Sequence, residues 1–191
     1  MPKTAEQNRQ IRQATRTIIV EAAMICFARN GYAHTTIRDI AKQAGVSTGL
    51  MYHYFTSKEA LLEAVLENCM AILSGVLLGA YKQGKPGERI PGLLWAMFAM
   101  LEEDQEFWTL FQMLRSQPAI MTVLGDAFRQ WTRQLRNLFT VELRNAGRPE
   151  PEIDALILYG LIEGTIQQYL LDPANYPLSA VADRIVAQYE A

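Results

Sequence analysis

Residues 36–63, TIRDIAKQAGVSTGLMYHYFTSKEALLE, leave this chain few ways to fold. They read as two short helices joined by a glycine turn and followed by the start of a longer helix. Thr36 opens a T-x-x-D run with Asp39, a pairing that satisfies free amides at a helix start. Ile37, Ile40, Ala41 and Ala44 recur at helical spacing and form one apolar face, with Arg38, Lys42 and Gln43 turned to water. Gly45 stops that helix where a left-handed residue is cheapest, and Ser47 offers the next cap. In the second helix Met51, Tyr54 and Phe55 share a face with Leu61 and Leu62 beyond it, so Thr48, Gly49, Leu50, Tyr52 and His53 point outward.

A helix that exposes a small residue, a glycine, a short apolar group and two hydrogen-bonding aromatic rings suits the floor of a DNA major groove, because little holds it away from base edges. The same residues also suit an ordinary helical hairpin with a solvated second helix, and a lone A-x-x-x-G-V does not choose between the two. Charge adds to the first reading. Residues 1–58 carry eight basic and three acidic groups, a net +5, and the remaining 133 carry ten and seventeen, a net −7. A head that meets a polyanion and a body that avoids it would be divided this way.

The run from Thr35 to Leu62, with G-V-S-T-G-L-M-Y-H-Y-F-T-S-K-E-A-L-L at its centre, resembles the DNA-binding domain of the TetR family of bacterial repressors. The likeness extends upstream through Ala22, Phe27, Gly31 and Tyr32. It implies an all-helical homodimer with a variable, pocket-bearing domain behind the reading head. It further implies that Thr36, Ser47, Tyr52 and Lys58 hold the DNA backbone, and that Thr48, Gly49, Leu50 and His53 lie nearest base edges. Leu50 departs from the pattern, standing where the family more often has a small or polar residue; contact with a thymine methyl and a smaller hydrogen-bonded readout are both open. Lys58 falls in the first turn of the next helix, which Thr56 or Ser57 would cap with Glu59 closing a box.

The rest of the chain is helical with clear punctuation. Upstream, Ile11, Ile18, Ile19, Ala22, Cys26 and Phe27 make a helix from about Arg9 to Asn30, and Gly31 ends it. The first eight residues read as a solvated tail, with Lys3 and Arg9 within reach of a minor groove as the other possibility. Beyond Lys58, breaks at Gly84–Gly87, at 116–118, at 147–149 and at 172–177 separate helices ending near Lys82, then spanning 90–103, 105–115, 120–145, 151–171 and 179–189. No strand alternation is present. The expected fold is all-α with about nine helices: a three-helix helix-turn-helix domain over 1–57, then a helical bundle over 58–191 for ligand binding and dimerisation.

The segment PEIDALILYGLIEGTIQQYLL is apolar on more than one side, so it needs two partners. Ile153, Ile157, Gly160, Leu161, Gly164 and Gln168 fall along one stripe. With Val181 and Ile185 of the last helix they are expected to form a two-fold dimer interface, the alternative being burial within one chain. On the other side Tyr159, Glu163 and Gln167 would face Trp95, Trp108, Phe111 and Trp131. Such aromatic groups line pockets for flat apolar ligands and also simply fill cores. An acid at 163 amid apolar neighbours needs a cation, a hydrogen bond or a ligand.

The partners expected are therefore double-stranded DNA carrying a palindromic operator, a second copy of the chain, and a small-molecule effector; a body that binds a protein partner instead is the competing reading. No cofactor or metal is expected. Only two histidines are present, and no nucleophile motif, phosphate-binding glycine loop or metal-ligand spacing accompanies them, which argues against an enzyme. Cys26 and Cys69 sit in apolar stripes and read as buried thiols. The amino terminus lacks a signal-peptide core and the apolar run 90–101 is too short for a bilayer, so a cytoplasmic protein without a membrane partner is expected.

Overall fold

The computed structural model describes residues 5–190. Among them the helices are α1 (Ala5–Asn30), α2 (Ile37–Ala44), α3 (Thr48–Tyr54), α4 (Lys58–Gln83), α5 (Arg89–Glu103), α6 (Gln105–Arg115), α7 (Pro118–Asn145), α8 (Pro151–Leu171) and α9 (Leu178–Val186). No strand occurs among the described residues. Three boundaries differ from those expected. The first helix starts at Ala5 rather than near Arg9, so residues 5–8 are helical rather than a loose tail, while Lys3 lies outside the described residues. The seventh starts at Pro118, where a missing N–H and a fixed φ suit a first helical position. The last ends at Val186, because Gln188 and Tyr189 turn back on Ile185 and Val186 with i→i−3 bonds.

Among the described residues two compact units are present: one runs up to residue 70 and takes in 110–125, and the other holds 71–109 and the chain from 126 onward. In the first, α1 packs on α2 and α2 on α3, around Ile19, Ala23, Phe27, Ile40, Met51 and Leu61, all essentially solvent-free. The end of α1 is finished by a residue distant in sequence. The Gln117 side chain accepts from the Tyr32 amide at 2.8 Å and donates to the Phe27 carbonyl at 2.8 Å, serving groups a helix end leaves unsatisfied.

In the second unit α9 packs on α5 and α8. Its most polar feature is buried. Glu142 of α7, 0% exposed, accepts from Tyr81 Oη at 3.1 Å, from the Gly87 amide at 3.0 Å and from Arg89 Nη1 at 3.0 Å. The Arg89 guanidinium lies 4.0 Å from the Tyr81 ring centroid and its Nε donates to the Gly84 carbonyl at 3.0 Å. Gly87 has φ +82, and a Cβ there would stand 2.9 Å from the Asn145 carbonyl oxygen. One carboxylate thus holds the α4–α5 turn against α7.

Both cysteines are buried free thiols. Burial pushes the Cys69 thiol up to about 12, and its Sγ lies 3.8 Å from Met24 Sδ. A folded pKa raised above the ordinary value means that this group favours the fold at pH below 9 and that the contribution fades as pH climbs toward 12. Alkylation of Cys69 at about pH 8 is accordingly expected to follow global unfolding. Modification of native protein within minutes would contradict this burial. Of the described helices, α4 alone is long and apolar enough by length and composition to cross a membrane. This helix, rather than the run 90–101, is the longest apolar stretch. Leu61, Leu62, Val65, Cys69, Leu73 and Leu77 are buried in the fold, as in a core helix.

Candidate nucleic-acid interface

The head is assembled by its caps. Thr36 Oγ1 accepts from the Asp39 amide at 3.2 Å while Asp39 Oδ2 accepts from the Thr36 amide at 2.9 Å and hydroxyl at 2.6 Å, closing the expected box. Those hydrogen bonds from Thr36 hold the Asp39 carboxyl below its ordinary range. At the other end of α2, Gly45 has φ +67, and the amides of Gly45 and Val46 reach the carbonyls of Lys42 and Ala41. This left-handed cap turns the chain at once toward α3. Ser47 then caps α3, its Oγ accepting from the Leu50 amide at 3.2 Å.

The resulting α3 is seven residues long, about 10 Å, and divides by face as the spacing predicts. Met51 is 1% exposed and Phe55, the residue that ends the helix, is buried. Tyr52 is 60% exposed and Leu50 36%, with Gly49 and His53 exposed and Thr48 and Tyr54 half-buried. The caps Thr36 and Ser47 are exposed as well. A short, protruding helix with small and aromatic groups outward is a shape the major groove admits.

Lys58, expected at a phosphate, is also engaged within the head. Its Nζ donates to the carbonyls of Tyr32 at 2.9 Å and Thr35 at 3.2 Å and sits 4.5 Å from the Tyr32 ring centroid. Tyr32 Oη meets Glu59 at 3.1 Å, and burial, followed by the bond to Glu59, lifts the Tyr32 hydroxyl to about 12. Ser57, rather than Thr56, caps α4 through the Ala60 amide at 3.0 Å. These bonds tie the 31–36 loop, and through it the start of α2, to α4. Sequence reading missed them because carbonyl acceptors carry no residue signature.

The residues expected at the dimer interface are gathered. Gly160, Leu161, Gly164 and Gln168 of α8 and Val181 and Ile185 of α9 line one open groove of about 490 Å³, and Ile153 and Ile157 continue the exposed stripe of α8. Its other side is buried through Ala155, Leu158, Ile162 and Ile166. Ile185 itself is largely covered within the chain.

The residues expected at the ligand are not gathered. Trp108 and Phe111 are buried core residues, Phe111 in the first unit, while Trp95 and Gln167 are exposed. Tyr159 Oη donates to Glu163 one turn away on α8 at 3.0 Å, which gives that half-buried acid an internal partner. Of them only Trp131 lines an open-sided cavity of about 520 Å³ formed by Ser74, Leu77, Leu78 and Tyr81 of α4 with Trp131, Gln134, Leu135 and Leu138 of α7. Aromatic content does not encode direction, so Trp108 and Trp131 look alike in sequence; the Leu77–Leu78–Tyr81 side of α4 was the missed signal.

A helix-turn-helix whose second helix projects a free face, set before an all-helical body, defines a DNA-binding transcriptional regulator. Residues 19–65 match the family of bacterial regulatory proteins, tetR family. The chain is 33% identical to the transcriptional regulator BetI of Escherichia coli, over 94% of this chain and 92% of that one. It is 29% identical to the transcriptional repressor KstR2 of Mycobacterium tuberculosis, over 77% and 75%. The fold matches that of SmeT bound to triclosan with a TM-score of 0.75 at 24% identity, covering 92% and 91%. The chain belongs to the TetR family. Its named relatives are regulators of transcription, not enzymes.

Proposed function

We propose that the protein acts in the cytoplasm as a homodimeric repressor, holding a palindromic operator through residues 47–55 of each copy and letting it go when a small uncharged molecule occupies the body. In this reading residues 1–57 serve as the reading head and 58–191 as the effector and dimer domain. The observation that carries it is the division of α3, with Met51 and Phe55 inward and Leu50, Tyr52 and His53 outward. Ser47, Thr36 and Tyr52 hold phosphates; Thr48, Gly49, Leu50 and His53 meet bases. Lys58, with two donors engaged inside the head, keeps one for a phosphate.

Two heads enter successive major grooves only when about 34–36 Å or a multiple apart. A ligand that binds better when the heads are spaced otherwise shifts the population off DNA, with leverage equal to its differential affinity, about 1–3 kcal/mol. The α4–α7 cavity supports an effector over a protein partner. Its lining has no charged side chain, four leucines, an indole and a few hydrogen-bonding groups, which suits a neutral, largely apolar compound; a solved relative of the same fold holds triclosan. The α4 helix begins at the head and lines this cavity at its far end, which makes it the transmitting element.

The experiment is a thermal-shift screen of neutral apolar compounds followed by DNA release. A true effector at about 100 times its Kd is expected to stabilise the protein by about 2.7 kcal/mol. Leu78→Glu, a charge in the cavity, is expected to erase that stabilisation while DNA binding persists. Hits that stabilise Leu78→Glu equally would place the ligand elsewhere.

A further inference from the structure

We propose that Gln117 decides which spacing of operator half-sites the protein accepts: its side chain locks the reading head onto the corner between α6 and α7, and the lock rejects palindromes of the wrong spacing. The inference rests on the reading of the chain as a homodimer with two heads, and extends it.

The side-chain amide of Gln117 is committed on every side. Its Oε1 accepts from the Tyr32 amide at 2.8 Å, and its Nε2 donates to the carbonyls of Phe27 at 2.8 Å and Met113 at 3.2 Å. Both of its protons and its oxygen are thus satisfied at once, which only a primary amide can do among these partners. Its backbone belongs to the same corner. The Gln117 amide reaches the Leu114 carbonyl, and the Gln117 carbonyl accepts from Ile120 and Met121 at the start of α7. One residue therefore joins the end of α1, the end of α6 and the start of α7.

Tyr32 is held from a second direction. Its N–H goes to Gln117, while its carbonyl accepts from Lys58 Nζ at 2.9 Å and its hydroxyl meets Glu59 at 3.1 Å, both on α4. Four residues later Thr36 caps α2, so what fixes Tyr32 fixes the entry to the helix-turn-helix. Burial of Phe27, Leu61 and Leu62 holds the same unit together, but apolar burial is non-directional and tolerates a small rotation. Hydrogen bonds of 2.8 Å are directional. With α4 alone, through Lys58 and Glu59, the loop can turn about that helix; Gln117 adds an attachment on α6 and α7. These three helices each carry the chain from the first unit into the second.

Spacing is where such a lock is felt. One added base pair moves a half-site about 3.4 Å along the duplex and about 35° around it. Heads fixed in orientation accept one spacing, whereas heads that pivot follow the displaced half-site and accept several.

The test uses the full chain and the palindrome that it selects from a random library, resynthesised with the space between half-sites longer or shorter by one and two base pairs. Affinity for each duplex is read by fluorescence anisotropy. Gln117→Met keeps the length of the side chain, removes its hydrogen bonds and is expected to bind the selected spacing nearly as the parent does. Its preference for that spacing over one a base pair off is expected to shrink about tenfold, the factor that two hydrogen bonds of ordinary net strength supply. Gln117→Glu is expected to shrink it likewise, because a carboxylate has no proton for the Phe27 and Met113 carbonyls. Ser116→Ala, which loses a hydroxyl bonded to the Met113 carbonyl in the same corner, is expected to leave it unchanged. A parent-like preference in both Gln117 variants would overturn the proposal. So would an equal loss of affinity at every spacing, the mark of a residue that serves only the stability of the head. If the parent itself takes every spacing alike, or no duplex, the two-headed reading fails and takes this inference with it; if the parent discriminates and the variants match it, only the role of Gln117 is wrong.

Discussion

Glu142→Ala is expected to lower the free energy of unfolding by about 3–5 kcal/mol, because removing one partner of a buried ion pair leaves the other charge uncompensated. Arg89 would be left half-buried beside the Tyr81 ring, and the Tyr81 hydroxyl and Gly87 amide would each lose an acceptor. Urea titrations of parent and variant, compared at equal m, measure the loss. Replacing both charges with apolar groups, Arg89→Met with Glu142→Leu, is expected to recover a good part of it, since the cost lies in the orphaned partner. A loss below about 1 kcal/mol in Glu142→Ala would mean that water reaches the site and that the turn at Gly87 is held in other ways.

Ile157→Glu carries the second large effect. Ile157 is 55% exposed, so a carboxylate there leaves the folded chain intact, and thermal unfolding of the variant should resemble the parent's. On a two-fold interface the same substitution buries a carboxylate from each copy in an apolar patch. The dimer is expected to dissociate, and with it the advantage of a second head already held near its half-site, which is worth about 100- to 10,000-fold in apparent affinity. Sedimentation gives the state of assembly and anisotropy on a palindromic duplex gives the affinity. A variant that stays dimeric would remove α8 and α9 from the interface.

Those two effects differ in how visible they are from sequence. The α8 stripe is legible because a helix apolar all round must meet something on each side, and the fold covers one side while leaving Ile153, Ile157 and Gly160 open. The reading head is legible for a similar reason. Its caps and its glycine turn are local, and local chemistry at Thr36, Asp39, Gly45 and Ser47 dictates where α2 and α3 begin and end. The Glu142 cluster is not legible. Its partners lie 53 to 61 residues away, and an acid within FTVELRN looks no different from a solvated one. A still longer separation, 85 residues to Tyr32 and 90 to Phe27, hides Gln117, which finishes the end of α1. The aromatic residues of the body mislead together because indole and phenyl groups serve cores and cavities alike; only the fold separates buried Trp108 from cavity-lining Trp131.

The most direct measurement is selection of duplex DNA from a random library by the parent protein and, in parallel, by Thr48→Ala and Tyr52→Ala. The parent is expected to return a palindrome with half-sites one helical turn or a multiple apart. Thr48→Ala should return altered bases at one position of each half-site, worth about 1–3 kcal/mol, and Tyr52→Ala the parent's sequence at uniformly lower affinity. If all three return the same sequence with the same affinity, or no enriched sequence at all, α3 is not what reads the DNA.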